Sequence, residues 1–266
     1  MHDPVLLVIA HGSRDPRHAA TVPALVRRVR SQRPGLRVST AFLDFNAPSV
    51  PQVLERMAND GVRDVVALPL LLTRAFHAKT DIPSVLDEAR VRHPRLRIVQ
   101  AEVLGPSPLL LDAVERRLYE AGLDPADKRS TGVVLASAGS SDPEAIAVIA
   151  EMARELRHTG WCAVRPAFAS AALPRTEDAV RALRAEGVRR VAVAPYVIAP
   201  GRLPDRIADG AGCAGADVLA DVLGASPELA RLLIQRFDES RAAARLPRLP
   251  LRARTPTRAA VRATGA

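Results

Sequence analysis

"AFLDFNAPSVPQVLERMANDGVRDVVALPLLL" occupies residues 41–72, and "AFASAALPRTEDAVRALRAEGVRRVAVAPYVI" occupies residues 167–198. The two align without a gap at an offset of 126 residues. In each, short Val/Leu/Ala-rich runs bracket a longer helical pattern, which is the signature of a βαβ unit in a parallel sheet. Working outward, "VLLVIAHGSRDP" at 5–16 is answered by "GVVLASAGSSDP" at 132–143, and "LGPSPLLLDAVERRL" at 104–118 by "LGASPELARLLIQRF" at 223–237. The chain is an α/β protein written twice, with two similar domains, each a roughly four-stranded parallel sheet flanked by helices.

The first half predicts strands near 5–10, 36–43, 62–70 and 96–103, and helices near 16–32, 49–60, 81–92 and 108–121. Asp15-Pro16 and Ser107-Pro108 each put a side-chain acceptor at an N-cap and a proline at the first helical position, where its missing N–H costs nothing. Asp142-Pro143 and Ser226-Pro227 repeat both devices. The expected organisation is a first domain over 1–124, a linker rich in Gly, Pro and charge, a second domain over 131–239, and a tail over 240–266.

The net charge of +9 belongs to that tail, because seven arginines and no acid follow Glu239 while residues 1–239 carry only +2. No aromatic residue interleaves those arginines, so the tail reads as disordered and a nucleic-acid partner is not expected. Hydrophobic content of 48% with 3% aromatics suits sheets covered on both faces by helices. The longest early apolar run, Val5 to Ala10, is too short for a membrane span, which predicts a cytoplasmic chain with no membrane partner. Cys162 and Cys213 have no partner spacing, so metal chemistry would rest on imidazole and carboxylate.

In open parallel sheets, ligands bind beyond the carboxyl ends of the strands, where helix N-termini point their N–H groups. Three first-half residues fall there, His11, Asp44 and His77, spaced 33 residues apart. Two imidazoles and a carboxylate are borderline ligands suited to divalent Fe, Co, Ni or Zn, with positions left open for a reacting partner. The second half carries Ala138 for His11 and Ser170 for Asp44, and its shorter "PGRLPDRI" at 200–207 has no histidine to answer His77. One half keeps the metal-competent side chains, and the other supplies a wall of a shared cleft.

"AHGSRDP", "AFLDFNAPS" and "FHAKTDIP", in this order and spacing, resemble the sirohydrochlorin chelatase/cobaltochelatase family of class II tetrapyrrole chelatases, over roughly residues 5–237. The resemblance is to the fused form, with one active and one degenerate half. It implies that His11 and His77 are the metal-binding, catalytic histidines. Asp44 stands where the family pattern carries glutamate, as third ligand or proton acceptor. The implied reaction inserts Fe²⁺, or alternatively Co²⁺, into sirohydrochlorin. The metal is then substrate, with no permanently bound cofactor, and the working unit is a monomer or homodimer. Ser13, Arg14, Arg74 and Lys79 flank the two histidine loops and are the candidates for holding substrate carboxylates, with Arg202 a further candidate in the second half.

Plainer readings accompany these. His18 is assigned to an exposed helix face, with a place beside the site as the alternative, His93 and His158 to helix C-termini, His2 to a frayed terminus, and Asp81 to a cap or a catalytic role. Trp161 and the cysteines read as packing or surface residues. Two other functions suit the same loops: a metal or tetrapyrrole carrier without turnover, and a phosphoryl-transfer enzyme using the His-Gly-Ser loop as an anion cradle.

Overall fold

The computed structural model describes residues 3–74 and 77–245, apart from the side chain of His77. The first half runs β1 (Val5–Ala10), α1 (Pro16–Gln32), β2 (Val38–Phe42), α2 (Val50–Asn59), β3 (Asp64–Pro69), a π-helical turn (His77–Asp81), α3 (Ile82–Arg92), β4 (Arg97–Gln100) and α4 (Pro108–Glu120). A short 3-10 turn (Pro125–Arg129) leads into β5 (Thr131–Ser137), α5 (Pro143–His158), β6 (Ala163–Phe168), α6 (Thr176–Ala185), β7 (Arg190–Tyr196), α7 (Arg202–Cys213), β8 (Val218–Leu219) and α8 (Pro227–Ala243). The sheets have orders β2-β1-β3-β4 and β6-β5-β7-β8, all parallel. The expected pair of four-stranded parallel sheets is therefore present, and the π-helical turn before α3 is an addition. All four anticipated N-caps form: Asp15, Ser107, Asp142 and Ser226 each accept from a backbone N–H in the first turn.

Strand alternation divides the core into layers. On one face of the first sheet, Val5, Leu7 and Ile9 pack with α2 and α3; on the other, Leu6 and Val8 join a core that continues through Val133 and Leu135 of the second sheet. A layer of helices lies between the sheets, and here the terminal helices change sides. α4 packs on β7 and α5 of the second half, whereas α8 packs on α1, β3 and β4 of the first. The bounds expected from the sequence place α4 in the first half and α8 in the second; each packs on the sheet of the other half, so both halves share one core. Residues 240–243 continue α8 rather than starting the tail, and residues 246–266 lie outside the described residues.

The exchange is fixed by arginines. Arg236 of α8 donates to the carbonyls of Val103, Leu104 and Pro106 in the loop ahead of α4. Arg117 of α4 donates to Leu223 O ahead of α8. Glu228, with its side chain 3% exposed, receives Nε (3.1 and 3.0 Å) and Nη2 (2.7 Å) of Arg116. Burial raises the Glu228 carboxyl, but the Arg116 guanidinium outweighs it and holds the group below the usual carboxylate range. Its contribution is therefore present above the ordinary pKa and is lost as pH falls through the lowered one. Breaking a buried pair costs about 3–5 kcal/mol, and Arg116 can return partly to water, so Glu228→Ala should cost about 2 kcal/mol in urea unfolding at neutral pH. That deficit should shrink under acid, where the wild-type carboxyl is itself protonated.

Candidate active site

The carboxyl ends of β1 and β3 face those of β5 and β7 across a cleft of about 460 Å³. Its walls are mainly apolar, including Val22, Leu71, Ile146, Ile149 and Ile198, and the first-half rim carries His11, Gly12 and Ser13. No helix among the described residues is long and apolar enough to cross a membrane.

His11 follows directly on β1, and the chain must turn there. Gly12 adopts φ +94°, and a Cβ on it would lie 1.9 Å from Asp44 O. The close approach lets the Asp44 N–H donate to His11 O at 2.9 Å and the Ser13 N–H to Asn46 Oδ1 at 2.8 Å. Only glycine permits both the left-handed backbone and that contact. The second half builds the same turn: Gly139 has φ +90° with Ser170 O where its Cβ would be, and the Ser170 N–H donates to Ala138 O at 3.0 Å. The backbone is duplicated and the imidazole is not.

His11 Nδ1 lies 3.1 Å from Gly12 O, and because a carbonyl oxygen only accepts, the contact assigns the proton to Nδ1. The His11 ring lies 6.0 Å from that of Phe45, which is exposed on left-handed backbone (φ 60°), and the Arg14 guanidinium sits 5.1 Å over the Phe45 ring. Asp44 touches His11 through its backbone, but its side chain is exposed and Oδ1 accepts from the Phe45 N–H. Among the described residues, no three His, Cys, Asp or Glu side chains converge as a metal cage; the His77 side chain lies outside them, although its backbone opens the π-helical turn.

The remaining candidates divide. Ser13 Oγ accepts from the Asp15 N–H, so the hydroxyl shapes the loop. Arg74 is exposed, 3.8 Å from Glu102. Lys79 reaches across to Asp142 and Glu144 of the other half, and these carboxylates raise its pKa. Asp81 occupies the N-cap position of α3 without capping it through its side chain. Arg202 opens α7 on the cleft wall.

Several contributors escaped sequence reasoning. His18 takes the alternative place beside the site rather than an exposed face: it is half-buried, lines the cleft, and its buried Nδ1 has no partner among the described residues. Burial, followed by its neighbour His11, lowers its pKa. Helical spacing alone could have found it, since His18 lies one turn before the buried Val22. Asn46 clamps the His11 loop, and the second half's counterpart is Ala172. Tyr196, at the end of β7, lines the cleft with its hydroxyl buried and unpaired among the described residues. Trp161 is a packing residue as expected, its Nε1 donating to Glu115 Oε1 at 3.1 Å. His93 and His158 sit at the ends of α3 and α5, and His2 lies outside the described residues.

Comparison with known proteins agrees with this architecture. The chain is 29% identical over 206 residues to the sirohydrochlorin cobaltochelatase of Priestia megaterium, covering 76% of this chain and 66% of that protein. It is 27% identical over 233 residues to the sirohydrochlorin ferrochelatase of the same organism, covering 86% and 87%. Among solved structures, SirB from Bacillus subtilis with Fe³⁺ shares the fold with a TM-score of 0.81 at 24% identity, over 92% of this chain and 98% of that one. The CbiX family profile matches twice, over residues 5–121 and again over 132–240, in keeping with the two copies of one turn around Gly12 and Gly139, and the chain belongs to the CbiX family.

Proposed function

We propose that this chain is a chelatase that inserts a divalent metal, Fe²⁺ in the first instance or Co²⁺, into sirohydrochlorin. The observation that carries the reading is the one-sided cleft: a duplicated backbone in which only the first half places an imidazole at the mouth. Membership of the CbiX family, with relatives named as sirohydrochlorin cobaltochelatase and ferrochelatase, supplies the substrate.

The chemistry follows from the residues. Insertion removes pyrrolic protons as the metal enters, so the site needs loosely held metal and a proton acceptor. A neutral imidazole serves either need, and His11 is the imidazole that the end of β1 places at the cleft mouth. His77 is assigned as the second imidazole. Asp44 is assigned as third ligand or proton acceptor, a role that requires its carboxylate to leave the Phe45 N–H. Without thiolates, these donors hold the ion weakly enough for a four-nitrogen ring to take it. The apolar walls accept the ring plane, while Arg14, Arg74 and Lys79 meet its carboxylates at the rim. The two halves of one chain complete the cleft, so turnover requires no second copy.

The test is anaerobic absorbance of sirohydrochlorin with limiting protein and added Fe²⁺ or Co²⁺. Wild type should metallate many equivalents of ring per chain, and His11→Ala and His77→Ala should each lower the rate by about 100-fold or more. Uptake of a single equivalent without further turnover would mean a carrier. Hydrolysis of phosphate esters that survives chelators would mean a phosphoryl-transfer enzyme. Gly12→Ala should lower the rate with the histidines intact, because the added Cβ displaces the His11 loop from Asp44.

A further inference from the structure

Two ion-pair clusters flank the cleft, and each joins opposite halves. On one side, Lys79 Nζ meets Asp142 Oδ2 at 2.8 Å and Glu144 Oε2 at 2.7 Å, at the start of α5. On the other, Arg17 at the start of α1 meets Asp205 in the first turn of α7 at 3.0 and 2.6 Å, while also holding its own N-cap, Asp15. Their sequence neighbours Ser140, Ala145, His18 and Pro204 line the cleft, so both clusters stand at its edge.

The clusters occupy matching places in the duplicated fold. Arg17 and Glu144 each stand two residues past an N-cap aspartate, and Lys79 and Asp205 each follow the third strand of their half. The polarity does not alternate with that match. Across the cleft, both cations come from the half with the imidazole and all three acceptors from the half without it. Exposed ion pairs of this kind contribute little to stability, so clasping the halves is a weak use for them. Cations standing at the edge of a cleft that must admit a polyanion have a stronger one.

We propose that Arg17 and Lys79 are receptors for the carboxylates of the incoming tetrapyrrole, and that Asp205, Asp142 and Glu144 occupy them until it arrives. This rests on the reading of the substrate as a polycarboxylate ring. Exchanging one carboxylate for another keeps each cation's charge-assisted hydrogen bonds and leaves no charge unpaired, while the exposed Asp205 and Glu144 return to water and Asp142 keeps its bond to the Glu144 N–H at the start of α5. Only a ring carrying carboxylates at the right places can make that exchange. The pairs therefore select against less carboxylated rings, which would have to leave both cations with their internal partners.

The test is binding of metal-free sirohydrochlorin, titrated by its absorbance, to wild type, Arg17→Gln, Lys79→Gln, Asp205→Asn and Glu144→Gln. Removing a cation should weaken binding by about threefold to tenfold, and removing an internal carboxylate should tighten it by a similar factor. Opposite signs are the diagnostic result, because a mere clasp would respond in the same direction to loss of either member. Shifts of one sign, or unchanged affinity in the cation variants, overturn the proposal. Turnover is read separately: a wild type that binds the ring but inserts no metal overturns the chelatase reading, while the binding shifts still decide the exchange.

Discussion

Everything in this molecule hangs on the exchange of α4 and α8. Each terminal helix leaves its own sheet and closes the inner face of the other, so the layer between the sheets is built from both halves at once. Arg236 binds three carbonyls of the 103–106 loop, and Gly105 lets that loop pass so close to Leu72 O that a Cβ would stand 2.3 Å away. Two halves tied only by a linker would rock freely. Joined through one close-packed core, they present their strand ends to each other at a set separation, and the cleft is the space left between.

That constraint explains why duplication could divide the work. The turn after the first strand is closely matched in the two halves, with Gly12 against Asp44 and Gly139 against Ser170. Its backbone is demanded by the approach of neighbouring strand ends and so persists without the chemistry. His11, Phe45 and Asn46 are answered by Ala138, Ala171 and Ala172, which leave the second half a smooth wall. Ala171 keeps the left-handed backbone of Phe45 (φ 58° against 60°). The turn therefore does not need the aromatic ring, which in the first half stands beside the imidazole.

Much of this was legible in the sequence because it depends on local rules. Strand runs, proline after Asp or Ser at helix starts, and the placement of His11 at a strand end follow from short-range pattern, and all four N-caps formed as expected. The helix exchange was not legible, since the pattern of Leu110, Val114 and Leu118 states that α4 has an apolar face but not which sheet it covers. Lys79 read as an available cation, yet a partner 63 residues away in sequence holds it. Asp44 reads as a ligand from its spacing, whereas the turn at Phe45 gives its carboxylate a nearer N–H. In each case the decisive contact is long-range or is set by a backbone angle that residue type does not announce.

The proposed chelatase has one metal site per chain, in the half that carries His11 and His77. Titrating Co²⁺ into the metal-free protein and following its visible ligand-field absorption tests this without the tetrapyrrole. Saturation is expected at one ion per chain, with the absorption lost in His11→Ala. Two ions per chain, or one ion retained when His11 and His77 are both replaced, would contradict it.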